Sequence, residues 1–229
     1  MTKKPAFARQ RSKNPPTRLL VIAGVIGGVV LAALVLWYSS LPNNAAKNGV
    51  SGDNAAESSD KIPVREIFSY ACYHCRDFDP IVQKWKKTLP NDVDFQQVAF
   101  GGGNRLWISL ARVYYAMQEL DLLDTNHQRL FEGLHDRGLN LITVRAVANF
   151  ITLDDSTSAE EFQAVAQGEK VAEAMEQANR LARRHKVSSV PTMVVADRFV
   201  VTPENKSFRE VLARVDELIE RERIDRQQN

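Results

Sequence analysis

Cysteine is scarce in this chain, with two residues in 229. Two thiols cannot staple a scaffold, so a hydrophobic core must carry the stability. The 44% hydrophobic and 25% charged residues suit an ordinary globular protein. Histidine is scarce too. Apart from His74, the histidines stand at 127, 135 and 185, none near the cysteines in sequence. A zinc site needs about four ligands, and the two further ones have no local candidate. A basic surface is also lacking. Residues 1–18 hold six Lys or Arg and no acid, so in a chain of net charge +2 the remainder sums to −4. Nucleic-acid binding would require a basic face on the folded part. The triplet Gly101-Gly102-Gly103 lacks the Lys and Thr of a phosphate loop and reads as a chain break.

Residues 19–38, LLVIAGVIGGVVLAALVLWY, contain no charge. As a helix they span roughly 30 Å, the thickness of a bilayer core. A cleaved signal peptide usually has an apolar stretch of only about 7–15 residues. Trp37 and Tyr38 suit an interfacial aromatic belt, which favours an uncleaved anchor. The basic tail keeps the N-terminus cytoplasmic and places residues 39–229 outside. Gly24, Gly28 and Ala32 form a small-residue stripe that would permit close packing of two anchors. Residues 39–60 lack apolar periodicity and read as a tether with a reach of about 26 Å.

From Pro63 the pattern changes. VREIFSYA (64–71) reads as a buried strand running into the first cysteine, and 72–88 as a helix that Pro80 should kink. VDFQQVAF (93–100) reads as a second strand. Leu106, Leu110, Val113 and Met117, then Val171, Met175, Ala178 and Ala182, recur at helical spacing. PTMVVA (191–196) and FVVT (199–202) read as a strand pair turning at Asp197-Arg198, a weaker signal than Asn-Gly. Phe208, Val211, Leu212, Val215, Leu218 and Ile219 mark one apolar face of a last helix. The order predicts an α/β domain with a helical block set into it.

Both cysteines lie in ACYHCR (71–76), three positions apart. On a helix that spacing puts them on one face, roughly 5–6 Å apart at Cβ, and a loose first turn can close a disulfide from there. A strand ending at Ala71 puts Cys72 at the helix N-terminus, where unpaired N–H groups and the dipole favour a thiolate. Cys75, one turn deeper, is shielded and resolves. His74 beside them lowers the Cys72 pKa further. A fall from ~8.5 to ~4.5 would stabilise the reduced form at pH 7 by ~3.4 kcal/mol, or roughly 70 mV towards oxidising strength. Zinc binding and a purely structural disulfide are the bland alternatives. The latter closes so short a loop that it stabilises little.

EIFSYACYHC (66–75) resembles the active-site segment of the DsbA-type thiol:disulfide oxidoreductases of the thioredoxin superfamily, which reads Glu–aromatic–x–Ser–x–x–Cys–x–His–Cys. VSSVPTMVV (187–195) resembles the family's second signature. The likeness covers about 62–220. It implies a thioredoxin-like fold with an inserted helical domain, here preceded by one transmembrane helix. The parts are then a basic cytoplasmic tail (1–18), an anchor (19–38), a linker (39–61), the first thioredoxin-like part (62–102), the insertion (103–178), the second part (179–222) and a polar tail (223–229). Residue by residue, the resemblance makes Cys72 the nucleophile, Cys75 its disulfide partner and His74 the tuner of the thiolate. Pro191 becomes a cis-proline, with Val190 offering its backbone to substrate. Glu66 becomes a buried acid beneath the disulfide, as against a strand-edge glutamate paired with Arg65 or Lys61. Tyr73 replaces the proline of the best-known members and stands where it would touch substrate.

The function this implies is disulfide introduction into exported proteins at the bacterial inner membrane, on the periplasmic side. No cofactor or metal is called for. The implied partners are cysteine-containing exported proteins and a quinone-linked re-oxidising membrane protein of the DsbB kind. A tethered reductase or isomerase and a non-enzymatic thioredoxin-fold adaptor are the rival readings. Isomerases usually carry a dimerisation module, and residues 39–61 contain none.

Overall fold

A computed structural model of the chain describes residues 61–151 and 157–228. The expected cytoplasmic tail, the anchor at 19–38 and all of the linker but Lys61 lie outside the described residues. Among the described residues no helix is long and apolar enough to cross a membrane.

The apolar run before the cysteines becomes a central strand, β1 (Ile62–Phe68). It pairs in parallel with β2 (Val93–Ala99) and antiparallel with β3 (Thr192–Val195), which pairs antiparallel with β4 (Phe199–Val201). The sheet order is β2-β1-β3-β4. Helix α1 (Tyr73–Lys86) makes the crossover from β1 to β2, as a parallel pair requires. A strand with neighbours on both edges and cover on both faces buries most of its side chains, and β1 buries all but Pro63 and Arg65.

The sheet has a core on each face. On one, Phe78, Val82 and Trp85 of α1 meet Val211, Leu212, Val215, Leu218 and Ile219 of α7 (Phe208–Gln227) over Ile62, Val64, Met193 and Val195. The Trp85 indole N–H donates to Asp216, 2.8 Å away, and ties the two helices. The other core belongs to the inserted block. It comprises α2 (Arg105–Glu119), α3 (Leu123–Phe131), a π-helical turn Glu132–Asp136, α4 (Val144–Ala148), α5 (Ala159–Ala166) and α6 (Glu169–Arg184). Leu110, Val113, Met117, Leu130, Phe131 and Phe162 pack there with Ile67, Phe68, Tyr70, Cys75 and Val194. Met193 and Val195 thus serve one core and Val194 the other, the period-two alternation of a strand.

Some details differ from the sequence expectation. β1 stops at Phe68 instead of Ala71, because Cys72 N–H donates to Ser69 O (3.0 Å) and closes a turn over 69–72. The β3–β4 turn is centred on Ala196-Asp197, at φ of 53° and 52°, and not on Asp197-Arg198. Arg198 N–H closes the turn on Val195 O at 3.0 Å, positive φ at both central positions marks it as type I′, and Arg184 and His185 hold the Asp197 carboxylate at 2.7 and 2.6 Å. The boundary drawn at 178 falls inside α6. The polar segment from 223 is helical as far as Gln227, where Arg223 bonds Asp92 at 2.7 Å and Arg226 bonds Glu222 at 3.0 Å. Helix α1 itself runs on through Pro80.

α7 starts from a capping box. Ser207 Oγ accepts from Glu210 N–H (3.3 Å), and the Glu210 carboxylate accepts from Ser207 N–H (2.6 Å). Ser207→Ala should therefore lower stability by about 1 kcal/mol. The effect is read as a lower urea midpoint at unchanged slope; an unchanged midpoint contradicts it.

Candidate active site

The turn over 69–72 delivers Cys72 as the N-cap of α1, at φ −91° and ψ 120°, with no side chain capping the helix and no acid in its first turn. The sulfur is therefore the group nearest the unpaired N–H donors of the helix. Both cysteines are free thiols. The Cys72 pKa is lowered from 9.0 to about 6. The hydrogen bond from the Cys75 thiol is the largest cause, burial opposes it, and the backbone N–H groups of Cys75 and His74 add to the lowering. The His74 ring contributes least among the named causes. Cys75 is 1% exposed, and burial, then Cys72, push its thiol well above the ordinary range. The two sulfurs thus differ in proton affinity through depth and through the hydrogen bond between them.

A Cys72 pKa of about 6 is a smaller fall than the one used above to gauge oxidising strength, because half-burial of the sulfur works against it. At pH 7 it is worth at most ~30 mV, and less once solvent screens a half-exposed group.

Opposite Cys72, the Val190–Pro191 peptide bond is cis. The Cys72 thiol donates to the Val190 carbonyl over 3.4 Å. Pairing of Thr192 with Ile67 across β3 and β1 brings this segment to the sulfur, and Thr192 Oγ1 holds the loop by donating to Ser189 O at 2.7 Å. Tyr73 is 61% exposed. Its ring stands edge-on between His74 (6.4 Å) and His135 (6.0 Å).

Glu66 is 1% exposed. It bonds neither Arg65 nor Lys61. Arg65 pairs with Asp94 at 2.7 Å, while Gln97, the β2 register partner of Glu66, donates to its carboxylate at 2.8 Å. Burial raises the Glu66 pKa from 4.5 to about 8, against the pull of that hydrogen bond. A second buried acid, Asp79, behaves in the opposite sense. Burial would raise it, but the hydrogen bond and attraction of His127 (2.9 Å) hold it below the usual range. Gln83 donates to the same Asp79 oxygen at 2.9 Å, and Gln97 reaches it at 3.4 Å. The Tyr70 phenol oxygen lies 2.6 Å from His127 Nδ1. A groove of about 890 Å³, lined among others by Asp79, Gln83, Gln97 and His127, opens onto this network and does not include Cys72.

The fold therefore brings Cys72, Cys75, His74, Tyr73, Val190 and Pro191 to one site, with Glu66 buried beneath it. It also brings there His127 and His135, which sequence distance had set aside, together with Asp79 and Gln97. Asp79 carried a local signal. It is an acid four residues after Cys75, on the face that Phe78 and Val82 bury. The histidines carried none, because their contacts cross 48 to 65 residues.

Comparison with known proteins gives a consistent picture. A family model described as a DSBA-like thioredoxin domain matches residues 102–214. The thiol:disulfide interchange protein DsbA of Azotobacter vinelandii is 29% identical over 219 residues, covering 90% of this chain and 98% of its own. That of Pseudomonas aeruginosa is 31% identical over 166 residues, covering 71% and 77%. The crystal structure of P. aeruginosa DsbA superposes with a TM-score of 0.69 at 28% identity, over 75% of this chain and 89% of that one. Oxidoreductase DsbA from Xylella fastidiosa gives 0.66 at 32% identity, over 74% and 90%.

The Glu66 shift has a stability consequence. Its folded pKa is raised, so its contribution is full below about 4.5 and is lost as pH rises through about 8. Glu66→Gln cannot ionise and should gain on the wild type by roughly 1–3 kcal/mol between pH 5 and pH 8. Urea unfolding at the two pH values reads this directly; a pH-independent difference would contradict a buried neutral carboxyl.

Proposed function

The chain belongs to the DsbA family of thiol:disulfide interchange proteins, and on that premise we propose that it works in the oxidising direction, introducing disulfides into exported proteins. The observation that carries this reading is the split between the two sulfurs, with Cys72 held near pKa 6 and Cys75 pushed up by burial.

In the proposed cycle a substrate thiolate attacks Cys72 Sγ of the Cys72–Cys75 disulfide. The new bond joins substrate sulfur to Cys72, and the old S–S bond gives its electron pair to Cys75. A buried Cys75 thiolate is unfavourable, so it takes a proton. Glu66, largely protonated at pH 7 with a pKa of about 8, is the donor beneath it. A second substrate thiolate then attacks the substrate sulfur of the mixed disulfide, and Cys72 departs as a thiolate, the better leaving group for its low pKa. The substrate leaves with a disulfide and the enzyme has gained two electrons; the proton on Cys75 came from Glu66, which takes one back from solvent. His74 favours the departing Cys72 thiolate through its backbone N–H and, to a smaller degree, its ring. Val190 offers its carbonyl, already a hydrogen-bond acceptor for Cys72, to the backbone of the arriving segment. Re-oxidation falls to a quinone-linked membrane protein of the DsbB kind. Residues 19–38 tether the enzyme to the periplasmic face of the inner membrane.

Equilibration of the pair with a glutathione buffer gives its reduction potential. A value well above about −270 mV, the potential of thioredoxin, supports the oxidase, and one at or below it supports a reductase. A disulfide that dithiothreitol does not exchange supports an adaptor. His74→Ser should raise the Cys72 pKa by about half a unit, since only the weaker ring contribution is removed. An unchanged midpoint would take the ring out of the mechanism.

A further inference from the structure

Tyr70 stands two residues before Cys72, and two histidines of the inserted block hold it. His135 Nε2–H donates to the Tyr70 carbonyl at 2.7 Å, and His127 Nδ1 lies 2.6 Å from the Tyr70 phenol oxygen. The Tyr70 ring is buried against Phe131 (4.8 Å between centroids) and Phe68 (5.3 Å). In a four-residue turn the middle peptide takes no part in the closing bond, and its rotation interconverts turn types. Here the closing bond runs from Cys72 N–H to Ser69 O, so the middle peptide is Tyr70–Ala71. Side chains secure both of its ends. Ala71 N–H donates to Ser69 Oγ at 3.2 Å, and the Tyr70 carbonyl accepts from His135.

The π-helical turn accounts for this reach. Arg137 N–H donates to Glu132 O (3.0 Å), the wider bond of a π turn, and the side chains of His135 and Asp136 point at the two flanks of the cysteine motif. His135 takes the residue two before Cys72, and Asp136 forms an ion pair with Arg76, directly after Cys75. Such single π turns recur at functional sites.

We propose that His135 is a positioning residue for Cys72, locking the Tyr70–Ala71 peptide from the inserted block while His127 anchors the Tyr70 side chain. Cys72 is an N-cap with no side-chain cap bond on the helix, so the backbone of 69–72 sets where its sulfur stands relative to the N–H groups of α1. Hydrogen bonds weaken steeply as they lose alignment. A turn peptide free to swing therefore weakens the thiolate without unfolding the domain. The inference rests on Cys72 being the reacting sulfur.

The test is a pH titration of thiolate absorbance in the reduced full-length protein and in two variants. His135→Phe keeps a ring beside Tyr73 and Phe131 but has no donor. Its Cys72 midpoint should rise by about half a unit, a threefold loss of thiolate at fixed pH below the midpoint. Alkylation at that pH should slow about threefold in parallel. His135→Gln presents an amide N–H to the same carbonyl and should restore most of the loss. Thermal melts of all three proteins establish that each is folded. A wild-type midpoint in H135F, or a natively melting H135Q that behaves like H135F, overturns the positioning role. An ordinary thiol midpoint in the wild type overturns the reading of Cys72 and this inference together; a low wild-type midpoint unmoved by H135F overturns this inference alone.

Discussion

The structure depends on one arrangement, a sulfur occupying the N-cap of a helix that has nothing else to cap it. Cys72 holds that place on α1, and no acid stands in the first turn to compete for the same N–H groups. An ordinary Ser or Asp cap would serve the helix better and leave no chemistry behind. A thiol there is stabilised as the anion, so helix stability and thiolate stability become one quantity. The rest of the domain keeps that quantity intact. β1 must stop three residues short of Cys72 to allow the turn, and β3 must pair in the register that carries Val190 to the sulfur.

Beneath the motif the fold handles two buried carboxyls in opposite ways. Burial alone raises both. Asp79 has an imidazole at 2.9 Å and is held low, whereas Glu66 has only the amide of Gln97 and is raised to about 8. Gln97 bonds to both and is neutral, so it can link them without choosing which keeps the proton. The outcome is one ionised and one largely protonated acid within a single hydrogen-bonded network. Two neighbouring carboxylates in that space would repel one another and add to the penalty on a Cys75 thiolate.

How much of this was legible in the sequence follows from the range of each signal. The cysteine pair, β1, β2 and the faces of α1, α2, α6 and α7 show in periodicities of two or 3.6 residues, and those expectations hold to within a few positions. The Ala196-Asp197 turn lies one residue before the expected one, since Ala196 does not advertise positive φ although Asp197 tolerates it. Its geometry is held by Arg184 and His185 from the end of α6. Glu66 was legible as a buried acid only through the family resemblance, because its burial comes from the elements that cover that face of the sheet and leaves no mark in the local pattern. His127 and His135 were invisible for a different reason. A lone histidine in a helical stretch carries no mark of the surface it will meet, and both meet residues on the far side of β2 and α2.

Those two contacts also bear on Tyr73, the residue that departs from the Pro-His pattern of the best-known relatives. A proline after the first cysteine would fix φ there and lend the turn rigidity from within the motif. Tyr73 offers no such constraint, and its ring is 61% exposed. In this chain the rigidity comes from outside the motif. His135 secures the peptide before Cys72 and lends its ring edge to Tyr73, while Asp136 secures Arg76 after Cys75. The exposed phenol is thereby released from a structural duty and left as an aromatic surface beside the reacting sulfur. Aromatic side chains supply large contact area with few rotatable bonds.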